Sequence, residues 1–383
     1  MLRPVYVWFY LFLLSAPPKQ QSQAFWSKNY GVNLVKRNIE PPLESENFVH
    51  WFGLDHQGAS QKHIKNIYQL EKVASKIFSN KKSSSLAPSE YHDFLTRIGL
   101  LDLCDIIKSI LMNPIKLQEI AKRSYQHYLG FSKIVLVSGS KDRPFKVRLH
   151  IWWPNQKNSS RPLYLEERHV HRWDFGSRMY SGCFENQIYE LKNASVEQKK
   201  LFREYEQRKI LLSNENAEKL DRGLAVLDNL SYPKSSLIHH RVIKDKPYKE
   251  YTTIVKQNLG FSDQDLQIFL PVFKKYYTSN NVSGKFGLTE AGLVAAGKPR
   301  VSKVCVGDVY FQGHELAHRI VANTDKITST LIVTGFPMND KNPFVFLREN
   351  SQFQSERRAP FLSVLELKEL LVKYLSHLQY QMI

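Results

Sequence analysis

His169, Val170 and His171 place two imidazoles two residues apart. Alternate side chains of a strand share a face, so this pair presents two nitrogen donors to one side, about 7 Å apart along the strand. A third imidazole is available at His318, which follows Gly307-Asp308-Val309-Tyr310 and precedes Arg319-Ile320, with Gly307 and Gly313 permitting turns. Imidazole suits iron, copper, nickel or zinc, and three neutral ligands leave positions open for water, oxygen or a substrate. A His-x-His pair alone is weak evidence, because paired strand histidines are often merely exposed. Its weight depends on the elements that would bring His318 to it.

Those elements can be read from the spacing of apolar residues. Between residues 40 and 129 the pattern is helical: Ile64, Ile67, Leu70, Val73 and Ile77 recur every three or four residues. Pro88 opens a second segment, and Asn113-Pro114 interrupts the series before it resumes to Tyr128. From Gly130 the texture is that of strands. Lys133 to Gly139 is one, and Phe145 to Trp153 alternates, with Val147, Leu149 and Ile151 on one face and Lys146, Arg148 and His150 on the other. Met179 to Leu191 reads as a further strand through Gly182.

Residues 195–299 form the expected helical insert. It starts near Ser195-x-x-Gln198, which approaches a capping box, and includes a helix from Ser262 through Tyr276. Within it, Leu237–Val242 and Tyr248–Val255 look extended, and a polar, glycine-containing stretch leads to Pro299. Strands return at Val301–Val306, Asp308–Gln312, His318–Val321, Thr328–Val333 and Phe344–Leu347. Residues 361–383 end in a helix. The fold class is therefore mixed α and β, with strand-rich segments on either side of the insert closing one antiparallel barrel across residues 130–360.

The run Arg148-Leu-His-Ile-Trp-Trp, a proline-containing loop, His169-x-His171, Gly182 and Tyr189 resembles the first motif of the cupin superfamily. It looks more narrowly like the cysteine dioxygenase branch. Gly307-Asp308-Val309-Tyr310 with His318-Arg319-Ile320 resembles the second motif, and Thr328–Pro337 the closing strand. The resemblance covers roughly residues 130–192 and 300–347. It implies a cupin-type antiparallel β-barrel in which His169, His171 and His318 hold ferrous iron, with manganese, nickel or zinc as alternatives. It also implies a small-molecule substrate and dioxygen as partners. Arg143 lies near the arginine that grips the substrate carboxylate in that branch, a task suited to the guanidinium fork. Arg148 or Arg178 are available to supplement it. Tyr310 and Tyr189 are candidates to line the pocket, Tyr310 with a catalytic role.

The departures limit the likeness. The closing segment Leu331-Ile-Val-Thr-Gly-Phe lacks the family's His and Tyr, and Thr334 alone offers a hydroxyl. Cys183 does not stand where the thioether-forming cysteine would, so cysteine is not the expected substrate. The usual glutamate after the His-x-His is missing. Asp174 stands nearby as a ligand or an orienting group. His314 is read as loop or support rather than ligand, and His239-His240 as a pair that the sequence alone does not place.

Composition sets the outer bounds. The chain has 383 residues with 54 Lys+Arg against 36 Asp+Glu, a net charge of +18 spread along its length. Such a charge attracts anions in general. No nucleic-acid motif accompanies it, and the basic residues Lys199 to Lys209 are interleaved with Glu204 and Glu206. Three widely spaced cysteines with no CxxC pair predict buried free thiols rather than a disulfide or zinc framework. Residues 1–24 carry Arg3, a 12-residue apolar run from Val5 to Ala16, and Ser22-Gln23-Ala24. That is the layout of a signal peptide and too short to span a bilayer, although its Tyr and Trp content also suits a packed first segment. Cytoplasmic residence is slightly favoured over export. Asn158, Asn193, Asn229 and Asn281 head N-x-S/T sequons, which matter only in a eukaryotic secretory route. Three functions fit: an iron oxygenase acting on a small carboxylate-bearing molecule, a non-redox cupin for a small ligand or sugar, and a cupin scaffold for a protein partner.

Overall fold

Two curled antiparallel sheets share a core, with helices covering the outer face of one of them. The computed structural model describes residues 48–51, 63–79, 86–127, 131–140, 142, 144–154, 163–165, 167–220, 246–280, 285–323, 326–337, 343–347, 357–358 and 360–382. All belong to one unit, Leu43–Ile383. Residues 1–24, Arg143, the extended segment expected at 237–242 with His239 and His240, and the sequons at Asn158, Asn229 and Asn281 lie outside the described residues.

Four helices follow the edge strand β1 (Phe48–Trp51): α1 (Ile67–Phe78), α2 (Pro88–Thr96), α3 (Leu100–Leu111) and α4 (Pro114–Ala121). Each has a sequence reason. Asn66 caps α1 by accepting from the Gln69 N–H, Asn113 caps α4 in the same way, and Pro88 and Pro114 start their helices where no amide donor is needed. Ile67, Leu70, Ala74 and Phe78 line the buried face of α1. Together with α8 (Val364–Tyr380), capped by Ser363 and Glu366, these helices pack on one sheet through Ile134, Leu136, Val147, Leu149, Ile151, Leu331 and Val333.

That sheet has seven strands in the order β1-β13-β7-β15-β4-β3-β2, with β2 at Tyr125–Gln126, β3 at Phe131–Ser138, β4 at Lys146–Trp152, β7 at Phe175–Ser181, β13 at Val309–Gln312 and β15 at Thr328–Thr334. In the second sheet the order is β12-β8-β14-β6-β16-β10-β11-β17. It uses β6 (Arg168–His169), β8 (Cys183–Tyr189), β10 (Val272–Asn280), β11 (Lys285–Ala296), β12 (Arg300–Cys305), β14 (Ala317–Asn323), β16 (Phe344–Leu347) and β17 (Arg357–Arg358). Short strands β5 (Leu163–Leu165) and β9 (Leu191–Asn193) pair with β14 and β11. Phe131, Trp152, Phe175, Met179 and Tyr310 of the first sheet meet Phe184, Ile188, Val304 and Ile320 of the second. The layer between the sheets is thus largely aromatic at its centre.

The register assigns each residue a side. On β4, Val147, Leu149 and Ile151 face the helices, so Arg148 and His150 turn inward with Trp152. The chain reverses between β7 and β8 at Gly182, whose φ of 70° suits glycine and whose added Cβ would fall 2.6 Å from Thr328 Oγ1.

The insert differs from expectation in three places. The helix begun at Ser262 (α7, Asp263–Phe269) stops before Pro271, which has no amide hydrogen to donate, and Val272-Phe273-Lys274-Lys275-Tyr276 becomes strand β10 instead. The polar stretch before Pro299 is strand β11, held by β10, β9 and β17, so residues 195–299 are not wholly helical. Conversely, Tyr248–Val255 is helical rather than extended, within α6 (Lys246–Thr253) and the π turn Ile254–Asn258. Buried Tyr251, Ile254 and Val255 stand at helical spacing and pack with Phe202 and Tyr205 of α5 (Val196–Lys209) in a core of the insert's own.

The cysteines also depart from expectation. Cys183 and Cys305 form a disulfide across the β8–β12 ladder, their Cα atoms 4.2 Å apart, while Cys104 is free and buried in α3. A separation of 122 residues in sequence concealed a directly opposed pair in the sheet. Denatured protein prepared without reductant is expected to show one titratable thiol per chain, and three after reduction. A thiol-reagent count of three before reduction would contradict the bond.

Candidate metal centre

Two strands of the second sheet and the turn after one of them deliver the histidines. His318 lies on β14, directly opposite His169 of β6 in the ladder. His171 follows two residues beyond, just past the end of β6, where its N–H donates to the His314 carbonyl. The rings converge, with centroids 4.7 Å apart for His169–His171 and His169–His318 and 5.1 Å for His171–His318. One nitrogen from each ring falls within 4.8 Å of the others, in a group that could hold a metal ion.

Hydrogen bonds behind the rings select which nitrogen faces the centre. Asn186, inward on β8, accepts from His318 Nδ1 at 2.9 Å and is held by its own amide donating to Gln312 Oε1 at 3.0 Å. The Glu167 carbonyl accepts from His169 Nδ1 at 2.8 Å. With both Nδ1 atoms donating, both Nε2 lone pairs point inward, as metal ligation requires. His171 Nε2 stands 3.0 Å from His318 Nε2. Neighbouring ligands on an octahedral ion with bonds of about 2.1 Å are separated by about 3 Å. The donor set and this spacing fit a divalent ion.

Electrostatics keep the ligands available. Burial pushes His169 down to about 4, against the upward pull of its bond to the Glu167 carbonyl. Burial also drives His171 and His318 well below the ordinary histidine value, helped by neighbouring imidazoles and, for His171, by Lys133 and Arg148. Neutral imidazoles at neutral pH need lose no proton before binding a metal. Phe175 stands 4.9 Å from the His171 ring and Trp173 6.1 Å, forming an aromatic wall. From outside, a cavity of about 420 Å³ reaches His171 past Lys275, His314 and Phe344.

The other residues singled out in the sequence are scattered more widely. Asp174 is not among the three converging ligands. Its carboxylate accepts from His314 N–H at 2.7 Å and meets His314 Nδ1 at 2.8 Å, bracing the loop whose carbonyl holds His171. His314 is accordingly a support for this turn. Tyr310 is inward but packed among Phe48, Phe175 and Phe184, with Phe175 between it and His171. Tyr189 does not line the interior; it faces the opposite side of β8, under the Arg168 guanidinium and beside Phe273. Arg178 also points away, donating to the Leu95 and Thr96 carbonyls of α2. Thr334 Oγ1 accepts from the Lys146 amide. Arg148 does face inward, over the Trp173 ring at 4.9 Å.

Asn186 escaped sequence reading, because its role appears only once the inward parity of β8 is known. Lys133, His127 and His150 form a further inward group near the histidines. Lys133 and His150 belong to strands whose alternation does not reveal which face is enclosed, while His127 follows β2 in a stretch the apolar spacing reads as helical.

No family description and no curated protein matches this chain. A solved structure of oxalate decarboxylase, described for its substrate binding mode and a reaction specificity switch, is a weak neighbour at 9% identity. The match covers 58% of this chain and 77% of that one with a TM-score of 0.13. The fold class established here is a mixed α and β unit with curled antiparallel sheets, with which a cupin-like jelly roll is compatible.

Two outcomes follow from the buried imidazoles. Asn186→Leu is expected to weaken metal binding roughly 10–100-fold by freeing His318 to rotate and change tautomer, measured by competition with a chromogenic chelator. The second concerns acid. The unfolded chain takes up protons as pH falls through the ordinary histidine value of 6.5, whereas folded His169 resists until about 4. Metal-free protein should therefore hold constant stability from these groups above pH 6.5 and lose it progressively between 6.5 and 4. Acid titration followed by tryptophan fluorescence would show this, and bound metal should move the loss to lower pH.

Proposed function

We propose that this protein is a cupin-type metalloenzyme, a mononuclear non-haem oxygenase with iron as its metal, acting on a small carboxylate-bearing molecule. The observation that carries the reading is the convergence of three neutral imidazoles, one buried and two half-buried, with the outer nitrogens of His318 and His169 pinned by Asn186 and the Glu167 carbonyl. Manganese, nickel and zinc suit the same donors. A divalent metal held by His169, His171 and His318 would supply Lewis acidity and open positions for dioxygen and substrate. The chain's own residues do the rest. Phe175 and Trp173 exclude water on one side, and Arg148 offers a cation to an anionic substrate. Tyr310 stands one aromatic layer away as the proposed catalytic hydroxyl, and Arg143 is proposed to assist with the carboxylate.

A second reading, a non-redox cupin that binds a small ligand or assists an isomerisation, is favoured by one observation. Among the described residues no carboxylate joins the three histidines, and the closing strand β15 brings no acid or base to them. The Cys183–Cys305 bond favours an oxidising compartment over the cytoplasm, since such bonds persist where thiols are not kept reduced.

Metal analysis of anaerobically purified protein tests the primary reading. About one divalent ion per chain is expected, falling to background in His169→Ala and His318→Ala. Oxygen uptake with a panel of small carboxylates then separates the two readings. Stoichiometric metal without any oxygen consumption would favour the non-redox cupin, and metal-free wild-type protein would remove the oxygenase reading and leave plain ligand binding.

A further inference from the structure

Beside the three histidines lies a second cluster, built of cations. Arg148 is 5% exposed, and its Nε atom is buried without a hydrogen-bond partner. Arg172 Nε and His150 Nε2 are in the same condition. The two guanidinium groups lie over one indole, Arg148 at 4.9 Å and Arg172 at 5.4 Å from the Trp173 ring. Lys133 stands opposite His150 in the β3–β4 ladder and rests over the Tyr125 ring at 5.4 Å. Among the described residues no carboxylate bonds to Arg148 or Arg172. Burial followed by the like charge of Arg172 lowers Arg148 to about 10, with only Tyr125 acting in the other direction.

A buried guanidinium with no counter-charge is costly, and folded proteins offset such a group with a partner or a bound ion. Cation–π contact with Trp173 recovers part of that cost and leaves the donors of the fork unused. Those donors face the same interior as the imidazoles. A single carboxylate would offset one of the two guanidinium groups here. It would also leave the metal end, which carries a divalent charge on three neutral ligands, without an anionic donor.

We infer that the ligand of this site is a small organic dianion with negative groups at opposite ends. One group lies toward the histidine centre. The other is gripped by Arg148 and Arg172 beside Trp173, with Lys133 adding long-range attraction. The first end rests on the metal-centre reading; the second stands on the arginines alone. A dicarboxylate and a sulfonate-bearing carboxylate share this chemistry, and the planar fork accepts either end group in bidentate form.

Full-length protein, metal content measured on every sample, would be titrated with succinate, 3-sulfopropionate and butyrate by calorimetry. A dianion is expected to bind at least about tenfold more tightly than butyrate, and Arg148→Gln is expected to erase that preference while retaining wild-type metal content. The tighter of the two dianions names the class. Equal binding of butyrate would overturn the inference. So would a preference that survives both Arg148→Gln and Arg172→Gln, which would mean an adventitious ion only. Absence of metal from the wild-type protein would instead count against the metal centre, with the arginine end still decided by the same titrations. Melting curves keep the test open should a glutamine variant fold poorly. Without ligand, Arg148→Met is expected to melt no lower than wild type, because it removes an uncompensated buried charge. A clear fall in its melting temperature would show Arg148 to be a structural group and overturn the assignment.

Discussion

Imidazole and guanidinium groups lose their water when two sheets close over them, and everything else in this molecule has to accommodate that loss. Arg148 and His150 from β4, Lys133 from β3 and His318 from β14 all turn toward the space between the sheets rather than away from it. Strands with one polar and one apolar face ordinarily give the polar face to solvent. Here the apolar faces of β3, β4 and β15 are taken by helices, so the polar faces must be enclosed. The helical layer thus does more than stabilise the sheet. By claiming Val147, Leu149 and Ile151, it commits the alternate residues of the same strand to the space between the sheets.

Neutral groups meet that constraint by bonding among themselves. The Gln312–Asn186–His318 relay runs from β13 across the core to β8 and β14, so both sheets contribute to orienting one ring. His171 has no strand to hold it, and its position depends on the His314 turn and the Asp174 carboxylate that braces it. Arg148 and Arg172 beside them are not relieved in this way among the described residues. Aromatic faces, with Trp173 foremost, are what the described chain offers them.

Much of this was legible in the sequence, and the failures have physical causes. Strand positions after residue 300, the helices between residues 64 and 121 and the terminal helix all follow their apolar periodicity. His169, His171 and His318 were identifiable because a two-residue spacing and a later strand are local signals. Pro271 was a visible stop that the helical reading of Ser262 to Tyr276 passed over. Tyr251, Ile254 and Val255 carried a helical repeat masked by the β-forming character of their neighbours. Asn186, by contrast, was beyond reach, since nothing local separates an amide that orients a histidine from one that faces water. The same holds for the cysteines, whose opposition depends on a register set by strands on both sides of the insert. Tyr189 and Arg178 were misassigned for a related reason: a one-residue change of parity moves a side chain to the other face.

The bridge between Cys183 and Cys305 encloses the whole insert in a covalent ring. A backbone cut anywhere within that ring would leave the two halves of the molecule joined as a single body, separable only after reduction. The strands bearing His169 and His318 lie on opposite sides of the ring, so the bond also keeps them members of one molecule through such a cut. Loops inside it are therefore freer to vary in length, or to be clipped during maturation, than their position between two parts of one site would suggest.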